Sequence, residues 1–446
     1  MHGQSLFDGF AEFGDADALV WGDRGWSYRW LGAAVDSAQA ALVAADVGAG
    51  SVVALEADFQ PNAVAMFLAL MRHSCVIVPL TEAVRHHRDE FLDVAQCDIS
   101  VSIDENDEIA IRTLPGTPDH AIYQTVRERG SPGLVLFSSG STGKAKAAVH
   151  DLVPLLKKFE VRRHKMRAIT FLLYDHIGGV NTMLYTLSNG GCMVTVPNRL
   201  PDTVLGIVSK WEVELLPTSP TFINLLLVSE ALDRHDIPTL RLMTYGTEPM
   251  PEATLKAAAQ RLPNVRLQQT YGLSELGILR SRSKSNDSLW VKLGGEGFDL
   301  RVVDDKLEIK AESAMLGYLN APSPFTEDGW FMTGDVVEID GEWMRILGRD
   351  SDLINVGGEK VYPAEVEGVI QRMDNVLDVV VYGENNVLTG KMVAARVTLK
   401  EPEDPKTFTR RLKKHCRSQM QRFKVPVRVT FSAEHSHNAR FKKMRK

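Results

Sequence analysis

Cysteine is scarce: four residues in a chain of 446, Cys75, Cys97, Cys192 and Cys416, each standing alone. There is no C-x-x-C pair and no histidine at ligand spacing, which excludes a disulfide framework and a structural zinc site. The four are expected to be reduced structural thiols. Long apolar runs are also missing, since none approaches the roughly 18 residues of a membrane span. The start, Met-His-Gly-Gln-Ser-Leu-Phe-Asp, lacks the basic-then-apolar form of a signal peptide. The expectation is a cytoplasmic protein without a membrane span. Internal repeats and low-complexity tracts are absent, and a net charge of −6 gives no general affinity for nucleic acid.

What is present is a soluble, globular composition, 44% hydrophobic and 24% charged, on a chain long enough for two or three domains. Charge is unevenly spread. Residues 401–446 hold fourteen Lys/Arg against four Asp/Glu, so this tail is near +10 and the remainder near −16. Such a surface attracts an acidic partner or the phosphates of a nucleotide thiol.

Short apolar runs alternate with helical stretches, which indicates an α/β fold with parallel sheet. Strands are expected at 51–55, 75–79, 133–137, 168–174, 192–196, 214–217 and 240–245, with helices at 30–47 and 61–71 among them. Residues 102–132 are polar and punctuated by Pro and Gly, and read as loop and weak structure. Beyond Trp290 the pattern turns to short strands with Gly turns, as at 298–303, 306–309 and 336–347. A helix at 362–373, strands at 376–382 and 392–399, and an amphipathic helix at 405–421 complete a small C-terminal domain.

Residues 137–147, Phe-Ser-Ser-Gly-Ser-Thr-Gly-Lys-Ala-Lys-Ala, carry the strongest chemical signal. They follow a buried strand, and α/β proteins bind ligands at strand ends. Gly140 and Gly143 allow close backbone approach. Ser138, Ser139, Ser141 and Thr142 add hydroxyls, and Lys144 and Lys146 add charge, a combination suited to phosphate. A Walker A loop is excluded, because Gly143-Lys144 is followed by Ala145 and Ser138 stands where the first Gly is required.

Three more blocks follow in order: Gln269-Thr-Tyr-Gly-Leu-Ser-Glu275, Thr333-Gly-Asp335, and the run 348–367 from Gly-Arg-Asp-Ser-Asp through Val-Gly-Gly-Glu-Lys to Pro-Ala-Glu-Val-Glu. With the phosphate loop they resemble the adenylate-forming superfamily of acyl-CoA and aryl-CoA synthetases, luciferases and peptide-synthetase adenylation domains. Ala145 and Ala147 depart from its usual Pro and Gly. The resemblance covers about residues 50–446 and implies a large N-terminal domain, 1–348, of β/α subdomains plus a β-rich subdomain, shortened at its start. A hinge at 349–352 and a mobile α+β domain at 353–446 would follow.

The resemblance also implies the chemistry. A carboxylic acid is activated by ATP as an acyl-adenylate, with pyrophosphate released, and passed to a thiol. The loop would hold the β- and γ-phosphates, Glu275 would place Mg²⁺, and Thr270 or Ser274 could bond the α-phosphate. Gly246-Thr247-Glu248-Pro249 would lie along adenine, with Tyr271 stacked on the base and Gly272 beside it. Asp335 and Arg349 would hold the ribose. His176, in Tyr174-Asp-His-Ile-Gly-Gly179, matches a histidine between nucleotide and acyl pocket, whereas Asp175 is one position off the aspartate of amino-acid-activating relatives. Residues 221–228 and 276–278 would line an apolar pocket.

Ungapped counting of the tail places Lys442 on the family's catalytic lysine, although Phe441 replaces the usual Gly and Lys443 or Arg440 remain alternatives. Ser351 falls on the hinge, and Gly357 and Gly358 would admit a pantetheine arm. The implied acceptor is CoA or phosphopantetheine on an acidic acyl carrier protein. An amide ligase and a non-catalytic nucleotide-binding protein are the rival readings. The acid's identity, its chain length and the oligomeric state are not legible.

Overall fold

The inner strands of this chain are apolar on both faces, as in Val-Val-Ala-Leu before Glu56 and Val-Ile-Val-Pro-Leu at 76–80, where every residue of the second is buried. Such strands must be covered on both sides, which is the condition for a parallel sheet flanked by helices. A computed structural model describes residues 4–139 and 145–432, and two sheets of this kind form its centre.

One seven-stranded sheet runs in the order Gly317–Tyr318, Ala145–Asp151, Gly133–Ser139, Val76–Leu80, Val52–Glu56, Ile99–Ile103 and Ile109–Thr113. Its middle strands are parallel, and Gly133–Ser139 pairs antiparallel with Ala145–Asp151. The other seven-stranded sheet orders Arg266–Gln269, Leu242–Tyr245, Leu215–Thr218, Arg167–Ile169, Cys192–Val194, Asp17–Trp21 and Arg24–Ser27. All its pairings but the last are parallel. Helix Pro61–Arg72, buried from Pro61 to Met71 except Asn62, belongs to a core shared with residues of both sheets and of helix Ile177–Ser188.

A six-stranded antiparallel sheet follows, built from Arg280–Ser283, Val291–Gly294, Phe298–Val303, Lys306–Ala311, Phe331–Asp340 and Trp343–Arg349. The last five-stranded sheet has its own core. Val379, Val381, Val393, Ala395 and Val397 face Phe408, Leu412 and Cys416, which recur every four residues along helix Pro405–Gln419. The α/β class, the β-rich part and the α+β C-terminal part are as expected, and no helix among the described residues is long and apolar enough to cross a membrane.

Two expectations need correction. Residues 102–132 hold more regular structure than expected: Ile99–Ile103 pairs with edge strand Ile109–Thr113, and helix Ala121–Glu128 is capped by His120, whose Nδ1 accepts the Ile122 amide at 3.2 Å. The strand exposes Ile109 as well as Arg112 and Thr113 and buries no residue fully, so it carries no clean inside-outside alternation. The strand expected over 168–174 is only Arg167–Ile169, because the chain then leaves the sheet to deliver Tyr174, Asp175 and His176 to helix Ile177–Ser188.

Candidate functional site

The site grows from strand ends. At the end of Leu242–Tyr245 the chain turns through Gly246, where a Cβ would stand 2.7 Å from Thr270 Oγ1 and 2.8 Å from its carbonyl oxygen. No side chain fits there. Thr247 then adopts φ 74°, a strained value for a β-branched residue. It is anchored by its neighbour: Glu248 Oε1 accepts from the Thr221 amide at 2.9 Å and from the Thr221 hydroxyl at the start of helix Pro220–Val228. Thr270 is held to the same strand end, its amide and hydroxyl donating to the Tyr245 carbonyl at 2.7 and 3.1 Å.

Two buried carboxylates lie beyond. Asp335, in strand Phe331–Asp340, accepts from the Tyr271 hydroxyl at 2.5 Å and faces Arg349 Nε at 3.5 Å. Glu275 accepts from the Tyr318 hydroxyl at 2.7 Å. Arg349 acts electrostatically on Asp335, Glu275 and Tyr271 together, so one guanidinium serves both carboxylates. Burial first, and the adjacent carboxylate second, push both tyrosine hydroxyls up, so each stays protonated and donates. Lys146 places its ammonium 5.3 Å from the centre of the Tyr318 ring, a cation–π contact that ties strand Ala145–Asp151 to Glu275 through Tyr318.

Ser274 is fixed from behind. His150, fully buried in strand Ala145–Asp151, donates from Nε2 to the Ser274 carbonyl at 2.5 Å. Burial pushes its imidazole below the ordinary histidine value, so it is neutral at physiological pH.

The structure thus brings together Ser138, Lys146, Gly246, Thr247, Glu248, Pro249, Thr270, Tyr271, Gly272, Ser274, Glu275, Asp335 and Arg349 around connected strand ends. Gly140, Ser141, Thr142, Gly143, Lys144 and Lys442 lie outside the described residues, and Ser139 is described only as backbone paired with Ala145. His176 caps helix Ile177–Ser188, its Nδ1 accepting the Gly178 amide at 3.1 Å, and that helix packs on strand Gly277–Ile278. Asp175 is buried and accepts from the Thr81 hydroxyl at 2.8 Å. Gly357 and Gly358, at φ 62° and 96°, form the turn between Ile354–Val356 and Glu359–Val361, and Ser351 sits in the single turn Asp350–Asp352. Tyr318 and His150 were not legible as site residues, because each acts through a contact distant in sequence, and Thr221, expected in the pocket lining, is bound to Glu248.

A divalent cation fits this donor set in one way. Among the described residues no group of three His, Cys, Asp or Glu is arranged to hold a metal, so Glu275 would be a single hard-oxygen ligand, and Mg²⁺ characteristically takes one or two carboxylates with phosphates and waters.

Comparison with known proteins agrees with the geometry. Residues 6–319 match the AMP-binding enzyme family and residues 365–442 match the AMP-binding enzyme C-terminal domain. The chain is 26% identical to long-chain-fatty-acid–CoA ligase FadD13 of Mycobacterium tuberculosis over 323 residues, 67% of this chain but 63% of that relative's length. It is 26% identical to indoleacetate–CoA ligase of Aromatoleum aromaticum over 473 aligned positions, covering 94% of this chain and 91% of the relative. The anthranilate CoA ligase AuaEII, solved with anthranoyl-AMP, superposes with a TM-score of 0.82 at 19% identity, over 99% of this chain and 95% of that one.

Proposed function

The chain belongs to the AMP-binding enzyme family of adenylate-forming ligases, and on that premise we propose that it activates a carboxylic acid with ATP and transfers the acyl group to a thiol. The observation that carries this reading is the pair of buried carboxylates, Glu275 and Asp335, each oriented by a tyrosine hydroxyl and both under Arg349. A carboxylate oxygen of the substrate attacks the α-phosphorus of ATP, the bond to the β-phosphate oxygen breaks, and pyrophosphate leaves. A thiolate then attacks the acyl carbon and AMP leaves.

In the first step Asp335 would accept from the ribose hydroxyls and Arg349 would share them. Lys146 and the hydroxyls of residues 138–142 would hold the outer phosphates, and Thr270 or Ser274 the α-phosphate. Glu275 would hold Mg²⁺, whose charge supplies the neutralisation that phosphoryl chemistry demands. Lys442 remains the proposed ammonium at the developing charge, with Lys443 and Arg440 as alternatives. His176, whose Nδ1 is engaged by the helix, would present the opposite ring edge toward the acyl group.

The small domain, taken as 353–446 beyond a hinge at 349–352, would rotate about Ser351 and bring Gly357-Gly358 to the thiol of CoA or of a carrier protein's phosphopantetheine. A cytoplasmic location fits this reading. Pyrophosphate release across aryl, short, medium and long acids, followed by addition of CoA, carrier protein or amine, tests it. Thioester formation is the expected outcome. Amide formation would shift the reading to an amide ligase, and no release from any acid would leave a non-catalytic nucleotide-binding protein.

A further inference from the structure

Lys158 lies on the single turn Lys157–Phe159 that follows helix Leu152–Leu156. Its ammonium donates to Oδ1 of Asn181 at 2.5 Å and to the Ile278 carbonyl at 3.3 Å. Asn181 belongs to the helix capped by His176, and Ile278 to the strand just beyond Glu275. The amine therefore ties the helix that begins after His176 to residues 276–278, one of the two segments expected to line the acyl pocket. Its hydrogen-bond partners are both neutral oxygens, and the ammonium also lies 5.0 Å from the centre of the Phe159 ring. No carboxylate among the described residues pairs with it, and the charged group acting on it is Arg280, of like sign. Burial first, and Arg280 second, push its pKa down to about 7.

Lys158 is half-buried, and a partly desolvated cation without a counter-charge carries a cost that a bound anion would remove. Asn181, with its Oδ1 turned to Lys158, has its amide NH₂ as a second donor beside the ammonium's third N–H. We propose that Lys158 and Asn181 form a distal subsite of the acyl pocket and select dicarboxylic acids, the second carboxylate docking on Lys158 while the first is activated. This rests on the carboxylate-activation reading of the same site.

The test measures pyrophosphate release by the wild type, Lys158→Met and Lys158→Arg with dicarboxylic acids of four to ten carbons and their methyl-terminated counterparts. At pH 6.5 the wild type is expected to prefer the dicarboxylic member by ~10-fold or more in kcat/KM, as a charge-assisted bond in a buried site implies. Lys158→Met should bring that ratio close to one, chiefly through KM, and Lys158→Arg should keep a preference. The ratio should also fall as pH rises through about 7, because the docking form is the protonated one and it is lost above that pKa.

The groups around it hold their state over that range. Tyr185 on the capped helix stays neutral with its hydroxyl raised by burial, and Lys157 pairs with Glu312 at 3.2 Å on the outer side of the turn. Binding of non-reacting dicarboxyl and methyl-terminated acyl-sulfamoyl adenosines, read as the rise in melting temperature, gives a measure that needs no turnover. A larger rise with the dicarboxyl members, abolished in Lys158→Met, supports the subsite. Equal rises, no rise with either, or a wild-type preference for methyl-terminated acids overturns it, whereas absence of pyrophosphate release from every acid overturns the activation reading separately.

Discussion

Each of the two carboxylates at the site has one oxygen already engaged by a tyrosine, and this decides which way the other points. Tyr318 is the more informative of the two tyrosines, since its ring carries Lys146 and its hydroxyl holds Glu275. Tyr318→Phe keeps the ring under Lys146 and removes only the hydroxyl. Loss of the partner that orients a metal-holding carboxylate typically weakens metal affinity 10–100-fold. The Mg²⁺ concentration for half-maximal pyrophosphate release should therefore rise by about tenfold, at the low end of that range because phosphates share the load. An unchanged Mg²⁺ dependence in a folded variant would detach Tyr318 from the chemistry. Glu275 was legible because it closes a seven-residue block. Tyr318 was not, since it lies 43 residues further on in an unremarkable Gly-Tyr-Leu-Asn stretch and meets Glu275 only through the sheet edge.

At the level of elements, legibility followed burial. Strands such as Val52–Glu56 and Val76–Leu80, covered on both faces, announce themselves as apolar runs. Ile109–Thr113, an edge strand with no fully buried residue, and the eight-residue helix Ala121–Glu128 do not. The segment 246–249 is a case where sequence and structure meet on one glycine. Its Cβ position is taken by Thr270 Oγ1 and O at 2.7 and 2.8 Å, and Thr270 is itself fixed to the Tyr245 carbonyl. Gly246→Ala must push the 270–275 block away from the 246–249 turn, at an overpacking cost of about 1–3 kcal/mol. The KM for ATP should rise about tenfold, because a sub-ångström displacement of positioning groups is enough to lose that much. Normal ATP dependence with the same loss of thermal stability would show that the turn does not touch the nucleotide.

Over the whole molecule, charge is arranged by domain, and the structure decides which cations are available to a partner. Helix Pro405–Gln419 buries Phe408, Leu412 and Cys416 against its sheet, leaving the basic residues outside. Arg411 is committed to Glu403 at 2.8 Å and to the Asp374 carbonyl, and Lys413 to the Val427 carbonyl at 2.7 Å. Arg410, Lys414 and Arg417 are exposed, and their spacing of four and three residues sets them on one face. An acidic carrier protein would be steered to that face, and the steering would weaken as salt rises from about 0.1 to 0.3 M and the Debye length falls below roughly 10 Å. Reversing Arg410, Lys414 and Arg417 to Glu should then slow carrier loading by about an order of magnitude at low salt, with the difference shrinking at high salt, as expected of a rate set by steered encounter. The helix should remain folded, because Arg411, Lys413 and the buried stripe are untouched. Stopped-flow loading rates at several ionic strengths measure this directly. If the triple variant loads a carrier protein at the wild-type rate, or if free CoA is used efficiently and indifferently to the reversals, the acceptor is CoA and the basic face has another use.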